Sequence, residues 1–179
     1  MSKETLKKNL RNIPDFPIKG IQFKDVTSWF VNNEYLSELV DLAYQLYKDK
    51  GITKVVGIES RGFVLGGAIA IKLGAGFVPA RKPGKLPSET ISESYQKEYG
   101  KDIIEIHKDA INENDVVLIH DDLLATGGTM LAAYRLSERF TPKRIYVNFL
   151  VELTNLKGRD IFPPEAKIQS LISIEEDDI

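Results

Sequence analysis

The sequence predicts an α/β domain built on a mostly parallel, twisted sheet with helices on both faces. Three observations carry this expectation. From residue 34 onward, short β-rich runs alternate with stretches of helical apolar spacing, the rhythm of successive βαβ units. One run, Val116-Val117-Leu118-Ile119, is apolar without alternation, as a strand covered on both faces must be. The length of 179 residues, 42% of them hydrophobic, suits one domain with a substantial core.

In chain order, Met1-Ser2-Lys3-Glu4 is polar and lacks the apolar run of a secretory signal. Residues 11–28 are dense in turn formers, with Pro14, Asp15, Pro17 and Gly20 set among Phe16, Ile18, Ile21 and Phe23. Proline fixes φ and removes a donor, so no long helix forms there. Over 34–50 the apolar residues Leu36, Leu39, Val40, Ala43, Leu46 and Tyr47 recur at amphipathic-helix spacing, with Gly51 as the stop. A strand at 55–58, a short helix at 66–73 and a strand at 77–80 follow. After the apolar strand at 116–119 comes a glycine pair, then a helix over 130–140 and a strand over 144–151. Right-handed crossovers follow from that order. The closing Glu175-Glu176-Asp177-Asp178 reads as a solvated acidic end.

One stretch breaks the rhythm. Residues 81–100 hold Pro83, Gly84, Pro87 and many Ser, Glu and Lys, with weak alternation near Ile91 and Tyr95. A loop of that length inside a domain is commonly a lid or a binding loop; a solvated hairpin without a role fits the composition equally.

Composition excludes several function classes. With 24 Lys and Arg against 26 Asp and Glu, the chain lacks the basic footprint of a general nucleic-acid binder. It has no cysteine, so disulfides, thiolate metal sites and cysteine nucleophiles are excluded. No apolar run approaches the roughly 18–20 residues of a membrane span. The expectation is a soluble, cytoplasmic protein with no membrane or nucleic-acid partner. Phosphate-loop, dinucleotide and nucleophile-elbow patterns fail: Leu86 follows Gly84-Lys85, Gly74-Ala75-Gly76 lacks a third glycine, and Ile58 stands two residues before Ser60. His107 and His120 have no ligand partners at metal spacing, so no protein-held metal is expected.

The segment from Val116 to Thr129 carries the most chemistry. A buried strand runs into Asp121 and Asp122, then a short turn ends in Ala125-Thr126-Gly127-Gly128-Thr129 at a helix start. Glycines let backbone approach a ligand closely. Helix-start N–H groups, backed by the dipole, suit a phosphate, and the two threonines add hydroxyls. Adjacent carboxylates repel unless each faces a donor, which a cis-diol supplies. Phosphate plus diol implies ribose 5-phosphate; the plainer alternative is a capped helix after an ordinary strand.

This segment resembles the phosphoribosyl-diphosphate (PRPP) motif of the type I phosphoribosyltransferases, and the resemblance runs from about residue 13 to 173. Its blocks are Pro14-Asp15-Phe16-Pro17, Phe23-Lys24-Asp25-Val26, Glu59-Ser60-Arg61-Gly62-Phe63, the basic run from Arg81 to Pro87, and Glu98-Tyr99-Gly100. The last two are similar to the adenine-using branch of that family. The resemblance implies the type I fold over 1–179, with a hood at about 11–33 and a flexible catalytic loop at 81–100. It also implies transfer of ribose 5-phosphate from PRPP to adenine, giving AMP and diphosphate, in a homodimer with Mg²⁺ carried by the substrate. Residue by residue, it implies Asp121 and Asp122 on the ribose hydroxyls, with Ala125, Thr126, Gly127, Gly128 and Thr129 on the 5′-phosphate. Ser60, Arg61, Arg81, Lys82 and Lys85 would meet the diphosphate. Gln22, Phe23 and Lys24 would meet adenine, Phe23 by stacking. Glu98 would be catalytic, bonding the base near N7 while N9 attacks, and Tyr99 would belong to the closing loop.

Two residues depart from the family pattern. Lys24 stands where arginine is frequent, removing a forked contact, and His120 stands where an aliphatic residue is usual; a satisfied histidine at a strand end is its expected state. Rival readings keep PRPP but use another nucleobase, or use the fold as a PRPP-sensing regulator.

Overall fold

The computed structural model describes residues 2–96 and 101–175. Its amino-terminal part is a small cap. Helix α1 (Lys3–Lys8) starts at Ser2, whose hydroxyl accepts from the Thr5 amide. Strands β1 (Arg11–Pro14) and β2 (Gln22–Asp25) form an antiparallel pair around the proline-rich turn. Helix α2 (Thr27–Phe30) buries Trp29, whose indole N–H donates to the Leu6 carbonyl at 3.0 Å. That bond ties α2 to α1, and Leu6, Val26 and Trp29 join the core beside Leu39 and Ala43; burying a large apolar group contributes about 1.5–3 kcal/mol.

Helix α3 (Asn33–Tyr47) is capped by Asn32, whose side-chain oxygen accepts from the amides of Glu34 and Tyr35. Then come β3 (Lys54–Ile58), α4 (Arg61–Leu73), β4 (Gly76–Ala80), an antiparallel pair β5 (Thr90–Gln96) and β6 (Lys101–His107), β7 (Val116–Leu124), α5 (Gly128–Glu138), β8 (Arg144–Leu153), a 3₁₀ turn at Thr154–Leu156 and β9 (Lys167–Ile174).

The main sheet has five strands in the order β4-β3-β7-β8-β9, all parallel. Side chains alternate across it. On one face Val55 and Leu118 join Leu39, Ala43, Leu65 and Ile69 of α3 and α4. On the other, Val56, Val117 and Ile119 join Met130, Ala133 and Leu136 of α5 together with Ile104 and Ile106 of β6. From the central pair β3 and β7 the chain crosses outward in opposite directions, to β4 through α4 and to β8 through α5. The carboxyl ends of β3 and β7 are therefore the place where such a sheet leaves a crevice.

Several boundaries differ from expectation. β7 continues past Ile119 to Leu124, because β8 runs beside it, pairing Asp121 with Phe149 and Leu124 with Glu152. The acid pair thus lies within the strand. Helix α4 begins at Arg61, five residues before the expected start, because Gly62 is drawn against β7: a Cβ on Gly62 would sit 2.8 Å from the His120 carbonyl. Within the stretch expected as a long loop, Thr90–Gln96 is a strand paired residue for residue with Lys101–His107. The sequence reading did not identify α1, β1, β2, α2, β6 or β9.

Candidate active site

Asp121 and Asp122 sit near the end of β7. The Asp122 carboxylate is buried and accepts from Nε of Arg61 at 2.5 Å, while its amide donates to the Asp121 carboxylate at 2.9 Å. Burial first, then the neighbouring Asp122 charge, pushes the Asp121 carboxyl well above the usual carboxylate range. A site that raises an acid in this way favours a ligand bringing hydroxyl donors or positive charge.

Ser60 and Arg61 stand at the turn from β3 into α4; the Glu59–Ser60 peptide is cis, as is Phe16–Pro17. The Arg61 guanidinium also lies over the Phe23 ring, 5.5 Å from its centroid. Phe23 in turn receives Phe16 edge-on at 5.1 Å between centroids. Through Arg61, the cap residue Phe23 meets the acid pair of the body. Its neighbours on β2 differ in setting: the Gln22 side chain accepts from Asn12 at 2.7 Å, and Lys24 is buried.

The turn Ala125-Thr126-Gly127-Gly128-Thr129 leads into α5. Gly127 has φ of +82°, and a Cβ there would meet the Gly158 carbonyl at 2.6 Å, so only glycine fits. No side chain caps this helix, whose first-turn N–H groups have no intrahelical partner. These residues line a hollow of about 100 Å³ with Asp121 and Phe149. Beside it, a cleft of about 270 Å³ is lined by Glu59, Ser60, Arg61, Lys82, Tyr95, Asp121, Asp122 and Thr129. The structure thus gathers the acid pair, the phosphate turn, Ser60, Arg61 and Lys82 around one opening.

The basic run is arranged differently from a free cationic patch. Arg81 donates to both oxygens of Glu59, Nε at 3.2 Å and Nη2 at 3.3 Å. Lys85 donates to the same carboxylate at 2.7 Å, and the Lys82 amide at 3.1 Å. The Lys82 ammonium lies 3.4 Å from Asp102. Burial pushes the Glu59 carboxyl up, but the bonds from Lys85, Arg81 and Lys82 outweigh it and hold it at about 2. Sequence reasoning gave Glu59 no role: its three donor residues lie on the far side of α4 and β4, and no local pattern announces such a pairing.

His120 is only half satisfied. Nδ1 donates to the Asn148 side chain at 2.8 Å, an orientation fixed by Asn148 donating to the Gln169 carbonyl. Nε2 is buried without a hydrogen-bond partner. Burial lowers the imidazole to about 4 against the Asn148 bond and the Asp122 charge. Glu98 and Tyr99, expected on the catalytic loop, lie outside the described residues.

A doubly wound parallel sheet with an acid pair and a glycine turn at its switch point is the frame expected of a phosphoribosyltransferase domain. The sequence model of the phosphoribosyl transferase domain matches residues 31–179. Among curated relatives, an adenine phosphoribosyltransferase of Phocaeicola vulgatus is 64% identical over 174 residues, covering 97% of this chain and all of that protein. The solved adenine phosphoribosyltransferase of Rhodothermus marinus superposes with a TM-score of 0.91 at 50% identity, covering 96% of this chain and 98% of that one. That of Saccharomyces cerevisiae, solved with adenine and an imino-altritol bisphosphate, gives 0.88 at 40% identity, covering 94% and 97%. The chain belongs to the adenine phosphoribosyltransferases, with their type I fold.

Proposed function

We propose that this chain transfers ribose 5-phosphate from PRPP to adenine, yielding AMP and diphosphate in purine salvage. The observation that carries this reading is the single cleft shared by Asp121, Asp122, Ser60, Arg61, Lys82 and Thr129, set next to the glycine turn. In it, residues 125–129 hold the 5′-phosphate on helix-start amides and hydroxyls. Asp121 and Asp122 accept from the ribose hydroxyls, and the raised affinity of Asp121 for protons is relieved by the donors the sugar brings. Ser60, Arg61, Arg81, Lys82 and Lys85 receive the diphosphate, Arg61 exchanging Asp122 for phosphate oxygens.

Chemically, the C1′–oxygen bond breaks with its electron pair leaving on diphosphate, and adenine N9 bonds to C1′. Glu98, as a carboxylate, accepts from N7–H of the adenine tautomer whose N9 lone pair attacks, and takes that proton as the N9–C1′ bond forms, assistance worth about 10²–10⁴-fold. Phe23 stacks on the purine, with Gln22 and Lys24 at its edge, and Tyr99 closes with the loop that excludes water from the cation-like sugar. Mg²⁺ chelated by PRPP would neutralise part of the leaving charge.

Two further parts of the reading have narrower support. No helix of the described residues is long and apolar enough to cross a membrane, in keeping with cytoplasmic salvage. Val64 and Ile71 lie one above the other on the outer face of α4 and are exposed, which supports pairing of two subunits through that face.

The test is direct. With PRPP, Mg²⁺ and single nucleobases, chromatography should show AMP from adenine and no nucleotide from guanine or hypoxanthine. The pair Asp121→Asn with Asp122→Asn should abolish it. Turnover of another base in preference to adenine refutes the specificity, and absence of any nucleotide refutes the activity.

A further inference from the structure

Glu59 lines the cleft and is heavily bonded there, yet the reaction assigns it no part. It opens the turn after β3, directly before Ser60 and Arg61, and its side chain is only 13% exposed. Four N–H donors converge on its two oxygens: two from Arg81, one from Lys85 and the Lys82 amide. The run that it gathers has no regular secondary structure and turns through Gly84 at φ +75°. Arg81 also donates to the Lys85 carbonyl at 3.1 Å, closing the turn on itself.

The Arg81 and Lys85 side chains keep 32% and 48% of their surface in solvent, and ion pairs open to water on one side contribute little, about 0–1 kcal/mol, so stability alone is a weak reason for this cluster. Nor does it raise electrostatic attraction, because a carboxylate among the cations subtracts charge from the surface that a diphosphate meets. What the carboxylate adds is geometry. Flexible lysine and arginine side chains lose rotamer freedom when they grip an anion, and a fixed acceptor removes part of that loss before the ligand arrives. It also ties the run to the same turn that presents Ser60 and Arg61.

We propose that Glu59 is a positioning residue for the diphosphate subsite, holding Arg81, the Lys82 backbone and Lys85 as one preassembled cationic turn. The inference rests on the phosphoribosyl-transfer reading above. Glu59 touches no reacting atom and acts through the cations. Its carboxylate stays ionised across the working range, so its effect is independent of pH from about 6 to 9.

The experiment measures steady-state constants in both directions, with diphosphate affinity taken separately by calorimetry. Glu59→Gln keeps size and one acceptor while removing the charge. It should raise KM for PRPP and Kd for diphosphate about tenfold, within the range of coupled pairs, with KM for adenine and kcat within about twofold. Glu59→Asp should recover part of the loss. Added to Lys85→Met, Glu59→Gln should cost less than it does in the unaltered protein, since the Lys85 share of its contacts is already gone. Unchanged PRPP and diphosphate constants overturn the inference. So do equal losses for adenine and PRPP with a lowered Tm, or full additivity with Lys85→Met, each of which marks a merely structural acid. If the unaltered protein makes no AMP, the transfer reading fails and this inference falls with it. A failure confined to the variants sinks the role of Glu59 alone.

Discussion

Arg61 joins parts of the molecule that the sequence keeps far apart. One guanidinium reaches a carboxylate on β7 and an aromatic ring on β2, and so tells where the cap meets the cleft. That Asp121, Asp122, Ser60, Arg61 and Lys82 belong together was legible in the sequence, and the fold brings them to one cleft. Their internal pairings were not, because Asp122 with Arg61 and Glu59 with Arg81 are contacts between strands, helices and loops, invisible to spacing. His120 shows the same limit. A polar residue inside an apolar strand reads as a satisfied histidine, whereas the fold gives it one partner on β8 and leaves Nε2 bare. This has a measurable consequence. Its folded pKa of about 4 lies below the ordinary 6.5, so the unfolded chain binds the proton more readily between those values. Stability therefore falls as pH drops through that window, by about 2–3 kcal/mol between pH 7 and roughly 4.5. Asp121 works in the opposite sense and Glu59 only below its ordinary value. Denaturant titrations of the native protein and of His120→Gln at both pH values isolate the histidine: the variant should lose that part of the slope.

At the scale of elements, strands and helices with strong periodicity were found and their ends were not. The amphipathic run over 34–50 and the apolar run over 116–119 announced α3 and β7. The extension of β7 through two aspartates depends on β8 beside it, which no propensity for Asp would suggest. Strand β9 was missed because Lys167–Ile174 contains Gln169, Ser170 and Ser173 among its apolar residues and follows a proline-rich turn. Fixing that turn is Glu152, which accepts two bonds of 2.6 Å from Arg159 and one of 2.7 Å from Ser170. The turn matters because its Gly158 carbonyl presses on Gly127. Gly127→Ala should therefore do two things at once. The positive φ and the 2.6 Å approach force the loop or the turn to move, costing about 1–3 kcal/mol as overpacking and spoiling the amide cradle. Urea unfolding should show the first effect and a raised KM for PRPP the second; an alanine variant with native values in both would refute the role of that backbone shape.

For the whole molecule, the class was readable because alternating β and α runs permit few arrangements. Which faces stay uncovered was not readable. In α4 the inward positions Leu65 and Ile69 are fully buried, yet Val64 is 47% and Ile71 84% exposed. Apolar residues so placed suit a second copy of the chain. Sedimentation should find a dimer, and Val64→Glu with Ile71→Glu should shift it toward monomer while the far-ultraviolet circular dichroism stays native; a monomeric native protein would refute the pairing.

The parallel sheet has one more consequence, and it concerns time. Its central contact joins Lys54 to Val117, while the antiparallel pair Thr90–Gln96 with Lys101–His107 forms between close neighbours in the chain. Closing the longer span spends chain entropy before any strand bond repays it, and non-local pairing is what slows folding. The cleft, which lies where β3 and β7 meet, can therefore take shape only after that slow closure, so a newly made chain acquires its hairpins early and its binding competence late.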